Sequence, residues 1–324
     1  MKLSNTKKKP KRGAIRALVL FSGGLDSILA AKILEQQGVE VTALTFESYF
    51  FDAGQSIESA EENNLKIKIA DFSKKHFEII KNPCFGYGVG MNPCIDCHLL
   101  MLKESKKIMQ REDYDFIATG EVLGQRPMSQ NREALKLIEK KSGLVGKILR
   151  PLSAKALPET EMEKSGLALR EKLFSITGRG RKEQIGLAKK YKIKNFPTPA
   201  GGCILTDKEY SQKLTDLIDK IKIIKKSDLE LLRVGRHFWS GSTRIILGRN
   251  HEENLKLKKI VEKGLPAKDL STAGDTLVEP KNFPGPTALI RGKEKKAGMK
   301  LAQEKILKYA KKTESQKREF VILA

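Results

Sequence analysis

What the 324-residue sequence lacks narrows the field first. No apolar run approaches the ~18 residues that cross a bilayer, so no membrane-spanning helix is expected. The first twelve residues (MKLSNTKKKPKR) are basic, but the apolar stretch 14–21 is too short and wrongly flanked for a secretory signal, which predicts a cytoplasmic protein. Cysteines number only four, at 84, 94, 97 and 203, too few for a disulfide-stapled fold. Histidines are also four, and His237 and His251 stand at no metal-ligand spacing. There is no internal repeat. Acidic residues are short as well: 39 Asp and Glu face 62 Lys and Arg, a formal net charge of +23. That self-repulsion points to a polyanionic partner, with nucleic acid ahead of an anionic membrane surface.

The length suits about two domains, each with its own core. Residues 1–13 read as a basic disordered arm. Short apolar runs at 17–21 (ALVLF), 39–46 (VEVTALTF), 65–69 (LKIKI) and 116–119 (FIAT) predict buried parallel strands. Helical periodicity over 28–37 and 99–110 supplies the intervening elements. This alternation predicts an α/β, doubly wound parallel sheet over 14–210, with ligands at the carboxyl ends of its strands. Residues 153–194 look mostly helical, and 196–202 (FPTPAGG) form a rigid loop carrying Cys203. A linker helix over 211–226 then leads to a smaller α+β domain at 227–324. There, 232–234 and 243–247 resemble strands and 252–263 a helix. Its tail is strongly basic, with eleven Lys or Arg against three Glu over 291–318. Three of the four cysteines flank Pro or Gly, which suggests loops.

Ser22-Gly23-Gly24-Leu25-Asp26-Ser27 lies between a predicted strand and a predicted helix. Glycines there let backbone N–H groups approach phosphate oxygens, and a helix N-terminus favours the anion. Ser22 and Ser27 add hydroxyls, and Asp26 suits a Mg²⁺ ion that neutralises the phosphates. A plain glycine turn with a Ser/Asp cap is the bland alternative; the six-residue string in this context favours ATP.

These six residues resemble the PP-loop of ATP pyrophosphatases, which have an adenine nucleotide alpha hydrolase-like fold and cleave ATP between its α and β phosphates. Residues 118–125 (ATGEVLGQ), 129–131 (SQN) and 148–152 (ILRPL) resemble motifs of the tRNA 4-thiouridine synthases. Residues 92–97 (NPCIDC) resemble a segment of the wobble-position tRNA 2-thiouridylases. Over about 17–210 the likeness therefore implies a tRNA thiolation enzyme that binds ATP with Ser22, Gly23, Gly24, Asp26, Ser27, Gly120 and Gln125. The 4-thiouridine synthases carry an N-terminal tRNA-binding module. Here the loop begins at Ser22, and residues 232–255 instead resemble the small RNA-binding domain of NFACT proteins of ribosome quality control. The RNA-holding module is thus expected at the C-terminal end.

A Cys-x-x-Cys pair at 94 and 97 with a distant Cys203 reads as metal or redox chemistry. Three thiolates suit a 4Fe-4S cluster with one open iron, which ligand count and spacing put first. A persulfide and resolving pair at Cys97 and Cys203 is the reading taken from cluster-free relatives. Zinc on Cys94, Cys97, Cys203 and either His98 or Cys84 is a third, and three ordinary buried thiols the bland one. Cys84 reads as a bystander. Asp96 and Glu121 are lone carboxylates that suit Mg²⁺ or uridine positioning, or equally cap helices. Arg179, Arg181 and Lys182 form a basic turn suited to RNA phosphate, or a solvated charge run. Arg236, His237, Phe238 and Trp239 mix cations with rings that can stack on bases, and Arg249 adds a further RNA contact.

The combined expectation is ATP-dependent thiolation of a tRNA uridine, with free sulfide or a sulfur-carrier protein as the second partner. A small-molecule PP-loop ligase or amidotransferase, and a non-catalytic RNA-binding protein, are the alternatives.

Overall fold

The computed structural model describes residues 13–197, 203–262, 275–311 and 318–323. The basic arm therefore lies outside the described residues except for Gly13, as do 198–202 of the loop before Cys203 and 312–317 of the basic tail. The chain divides into two compact units, Met1–Thr206 and Asp207–Ala324.

In the first unit, β1 (Arg16–Leu20), β2 (Glu40–Glu47), β3 (Lys66–Asp71), β4 (Phe116–Thr119) and β5 (Ile148–Leu149) form one sheet in the order β3-β2-β1-β4-β5. Every pairing is parallel; Ala17 sits beside Val41 of β2 and Phe116 of β4. Side chains alternate across the sheet, so Ala17, Val19 and Ala43 pack on one face with α1 (Leu25–Glu35) and α2 (Gly54–Glu62). Leu18, Leu44 and Ile117 pack on the other face, toward α3 (Ser73–Lys81), α4 (Cys94–Arg111) and α5 (Arg132–Ser142). Helices on both faces explain why these strands read as continuous apolar runs. The strand order reverses between β1 and β4, which places a crevice at their carboxyl ends.

The doubly wound α/β expectation holds; three local readings do not. Residues 153–194 are mostly irregular, with single turns at Ala154–Ala156 and Arg170–Lys172, a four-residue α6 (Glu161–Lys164) and only then α7 (Lys182–Lys190). Pro158 and the left-handed Gly166 and Gly178 interrupt the helix that composition alone suggests. Helix α4 starts at Cys94, not Leu99, so Cys94 and Cys97 occupy its first turn instead of a loop. Third, 232–234 are not a strand: Leu231–Arg233 are a tight helical turn, and the strand begins after Gly235. Gly235 has φ +69°, and a Cβ there would lie 2.5 Å from the Leu247 carbonyl oxygen, so the chain turns at the glycine and pairs beyond it.

The second unit opens with α8 (Lys208–Lys220) and α9 (Lys226–Glu230). An antiparallel sheet follows, ordered β10 (Phe320–Leu323), β8 (Thr276–Pro280), β9 (Ala288–Arg291), β7 (Thr243–Leu247), β6 (Arg236–Ser240). Helix α11 (Lys295–Tyr309) covers the face bearing Ile245, Leu247 and Ile290. Helix α10 (His251–Glu262) covers the face bearing Ile246, Leu277 and Leu289. The smaller α+β architecture is as expected. No helix among the described residues is long and apolar enough to cross a membrane.

One buried titratable group gives the first unit an acid weakness. His76 of α3 stacks on Phe72 at 4.9 Å, lies beside Phe50 and Phe51, and has neither ring nitrogen hydrogen-bonded. Burial lowers its pKa from 6.5 to about 4. The unfolded chain then binds the proton more readily, so stability is full above the unfolded pKa and falls between about pH 6.5 and 4. The loss is on the order of 3 kcal/mol. His76→Phe should flatten that part of an acid-unfolding profile; an identical profile would show that His76 does not titrate with folding.

Candidate nucleotide and thiol site

The loop after β1 opens α1. Gly23 adopts φ +72°, and a Cβ there would stand 2.9 Å from the Gln55 carbonyl oxygen. Ser27 Oγ donates to the Gly24 carbonyl at 2.7 Å and accepts from the Ser22 N–H at 3.4 Å, closing the loop on itself. Gly24 caps α1 without any side-chain hydrogen bond, leaving the helix end to an anion. Gly120, at the end of β4, allows close approach: a Cβ would meet the Asp26 carbonyl and the Ser27 nitrogen at 2.6 Å. Gln125 Nε2 donates to Asp26 Oδ2 at 2.8 Å. Asp26 Oδ1 and Gln125 Oε1 are buried without a partner. A cradle of glycine backbone beside an unpaired carboxylate oxygen fits a nucleotide polyphosphate with a divalent cation.

The 120–130 loop also reaches the basic turn. Gly178 N–H donates to the Leu123 carbonyl at 2.7 Å, and Ser153 Oγ bridges the Leu123 N–H and the Ile176 carbonyl at 3.0 and 2.6 Å. Arg179, Arg181 and Lys182 follow directly, so the turn is anchored beside the nucleotide loop. Of these, Arg181 Nε is buried and unpartnered.

The same loop reaches the thiols through Arg126, whose charge acts on Cys94. Cys94 and Cys97 share the first turn of α4. The Met91 N–H donates to the Leu205 carbonyl at 3.0 Å, which ties the Cys203 turn to the residues just before that helix. Burial pushes the Cys97 thiol well up, and Cys203, Cys94 and Asp96 nearby push it further. Burial also raises Cys94, opposed by Arg126 and by a hydrogen bond from Asn92. All four cysteines are free, and Cys84 is exposed. Among the described residues no three His, Cys, Asp or Glu side chains are placed as a metal-holding group. As placed, these side chains do not fit a cluster or zinc.

The two lone carboxylates are taken up inside the protein. Asp96 accepts from the Cys84 and Phe85 N–H groups at 3.1 and 3.0 Å. Glu121 bonds His98 Nδ1 at 3.0 Å, Thr119 Oγ1 at 3.0 Å and Arg150 Nε at 2.9 Å. Burial opposes its charge, yet the Arg150 guanidinium and His98 prevail and hold the carboxyl down to about 2. Arg150 also pairs with Glu139. Sequence reasoning missed Arg126 and Glu139. Arg126 carried a signal, a cation immediately after a motif; Glu139 carried none, being one charge among many on an amphipathic helix.

In the second unit Arg236 lies on β6 with its guanidinium 4.7 Å from the Tyr309 ring centre. Arg249 is committed to Glu253, with its closest contact at 2.6 Å. His237 is half-buried and bonds the Val234 carbonyl at 2.9 Å; desolvation lowers its pKa to about 3, so it is a neutral structural group.

Residues 13–156 match the sequence model of the family described as thiamine biosynthesis protein (ThiI), and residues 235–322 that of the NFACT protein RNA binding domain. A "Probable tRNA sulfurtransferase" of Finegoldia magna is 29% identical over 145 residues, 43% of this chain and 36% of that protein. The "tRNA-specific 2-thiouridylase MnmA" of Rhizobium etli is 30% identical over 138 residues, 37% of this chain and 33% of that one. The chain thus spans about a third of the length of the curated relatives it matches. Among solved structures, a 4-thiouridine synthetase in complex with RNA and bound ATP aligns over 67% of this chain and 52% of its own, at 21% identity and a TM-score of 0.38. NMN synthetase from Francisella tularensis aligns over 68% and 84%, at 13% identity and a TM-score of 0.34. Residues 13–156 are thus similar to the ThiI family, and residues 235–322 to the NFACT RNA-binding domain.

Proposed function

We propose that this protein is a cytoplasmic, ATP-dependent tRNA sulfurtransferase that converts a uridine to a thiouridine. The observation that carries the reading is the shared loop: Gln125 bonds Asp26 at the nucleotide cradle, and the next residue, Arg126, acts on Cys94 at the thiol cluster. Activation and sulfur delivery then meet over one substrate, the proximity such a two-step reaction needs.

Ser22, Gly23, Gly24 and Ser27 hold the ATP phosphates, with Gly120 and Gln125 closing the cradle. Asp26 would hold Mg²⁺, which would screen the phosphate oxygens and stabilise the departing pyrophosphate. A uridine carbonyl oxygen attacks the α phosphorus and pyrophosphate leaves, because oxide itself is a poor leaving group. An external sulfane-sulfur donor loads the Cys97–Cys203 pair as a persulfide on one member. Its terminal sulfur attacks the activated carbon and AMP departs with the C–O electrons. The other thiolate attacks the inner sulfur, the S–S bond breaks toward the uridine sulfur, and thiouridine leaves behind a Cys97–Cys203 disulfide. An external thiol reductant then restores the pair. Cys94 completes the cluster beside them. Arg179, Arg181 and Lys182 bind tRNA phosphate on the catalytic unit; Arg236 does so on the RNA-binding domain, whereas Arg249, expected to join it, is held by Glu253.

Asp26→Asn should remove at least ~99% of pyrophosphate release stimulated by tRNA, a loss on the scale of one electrostatic catalytic group. Binding of tRNA should stay within about twofold of wild type, since no RNA contact is lost. Full turnover in this variant would remove Asp26 from the chemistry, tRNA binding by the wild type without any pyrophosphate release would leave only a nucleic-acid-binding role, and pyrophosphate release driven by a free small acid without tRNA would identify a small-molecule ligase instead.

A further inference from the structure

We infer that the β6–α11 face of the second unit binds unpaired RNA nucleotides, with a base stacked on Tyr309 amid basic side chains. The inference deepens the RNA-binding part of the proposed function and is independent of sulfur transfer. Arg236 and Phe238 stand two residues apart on β6 and share one face of the strand. Strand β6 is an edge, paired only with β7 among the described residues. Tyr309 ends α11 and meets that face, its ring centre 6.4 Å from that of Phe238.

Cations surround both rings. The Arg236 guanidinium lies 4.7 Å from the Tyr309 centre and Lys308 Nζ 5.9 Å; Lys305 Nζ lies 5.2 Å from the Phe238 centre. Helix α11 carries five lysines and a single acid, Glu304, which Lys305 neutralises at 2.9 Å. The rings differ in burial: Phe238 packs against the core beneath α11, whereas Tyr309 is 42% exposed. An exposed ring contributes little to that core, and among the described residues of α11 the one carboxylate, Glu304, is already paired with Lys305.

Ring and cations together match a nucleotide, whose base offers a π-face and whose phosphate a charge. A duplex offers its backbone but no free base face, because its bases are stacked inside. The face is therefore suited to a loop or a free end.

The test uses the full chain without ATP or sulfur donor, titrated into a labelled unstructured oligoribonucleotide and, separately, a blunt RNA duplex of equal charge. Tyr309→Leu should weaken binding of the single strand about tenfold, the scale of one lost stack, and change duplex binding by less than twofold. Tyr309→Phe, which keeps the ring, should bind like wild type. Unchanged single-strand binding by Tyr309→Leu overturns the inference, and so does an equal loss on the duplex. Because binding is read alone, a protein that binds in this Tyr309-dependent way yet forms no thiouridine counts against the reaction and not against this face.

Discussion

Cys97→Ser is expected to lower thiouridine formation by at least about a thousandfold, the scale on which enzymes respond to loss of a nucleophile that acts as part of a unit. Cys97 is flanked by Cys203, Cys94 and Asp96, and it packs against the apolar layer of Phe46, Phe72 and Tyr114. Serine is nearly isosteric, so the fold should persist while the sulfur carrier is lost. The nucleotide cradle belongs to other residues, and tRNA-dependent release of pyrophosphate should therefore continue for a single turnover. The expected pattern is adenylation without thiolation, read by pyrophosphate detection and by nucleoside analysis of the same tRNA. Thiouridine formed at a wild-type rate would remove Cys97 from the chemistry.

Arg150→Met should cost about 3–5 kcal/mol of stability, the usual penalty for removing one partner of a buried ion pair. Arg150 is 3% exposed and is the cation between Glu121 and Glu139. Without it, Glu121 keeps its burial and loses the charge that holds its carboxyl near 2. The melting temperature should drop on the order of 10 °C for a unit of this size. Arg150→Met combined with Glu121→Gln should recover part of the loss, since the double variant no longer buries that unpaired carboxylate. The Glu121 pair also contributes a second acid dependence: a depressed carboxyl stabilises the fold above its unfolded value of 4.5 and loses that contribution as pH falls toward about 2. A double variant whose loss equals the sum of the two single losses would show that Arg150 and Glu121 are not coupled.

The sheet of the first unit was readable because β1, β2 and β4 are buried on both faces, which writes each as an apolar run. Two-residue β5 is too short to carry a period, and it is recognisable only by pairing with Ile117 and Ala118. The helical reading of 153–194 failed because composition favours helix while Gly166 and Gly178 turn left-handed. Cys94 and Cys97 were misplaced for a related reason. Helical periodicity starts at Leu99, but the helix begins five residues earlier, directly after Pro93. At the site, the glycine cradle and the cysteines were legible as local motifs. The Glu121–Arg150–Glu139 network was not: its members come together across separations of 29 and 11 residues, which only the folded sheet brings about.

The most direct measurement of the central claim is mass spectrometry of nucleosides from unmodified tRNA incubated with the protein, Mg-ATP, a sulfane-sulfur donor and a thiol reductant. A thiouridine peak that requires ATP and disappears in both Asp26→Asn and Cys97→Ser is the expected result, and its retention time identifies the ring position. Wild-type tRNA recovered without thiouridine, from a reaction in which the protein binds that tRNA and cleaves ATP, would contradict it.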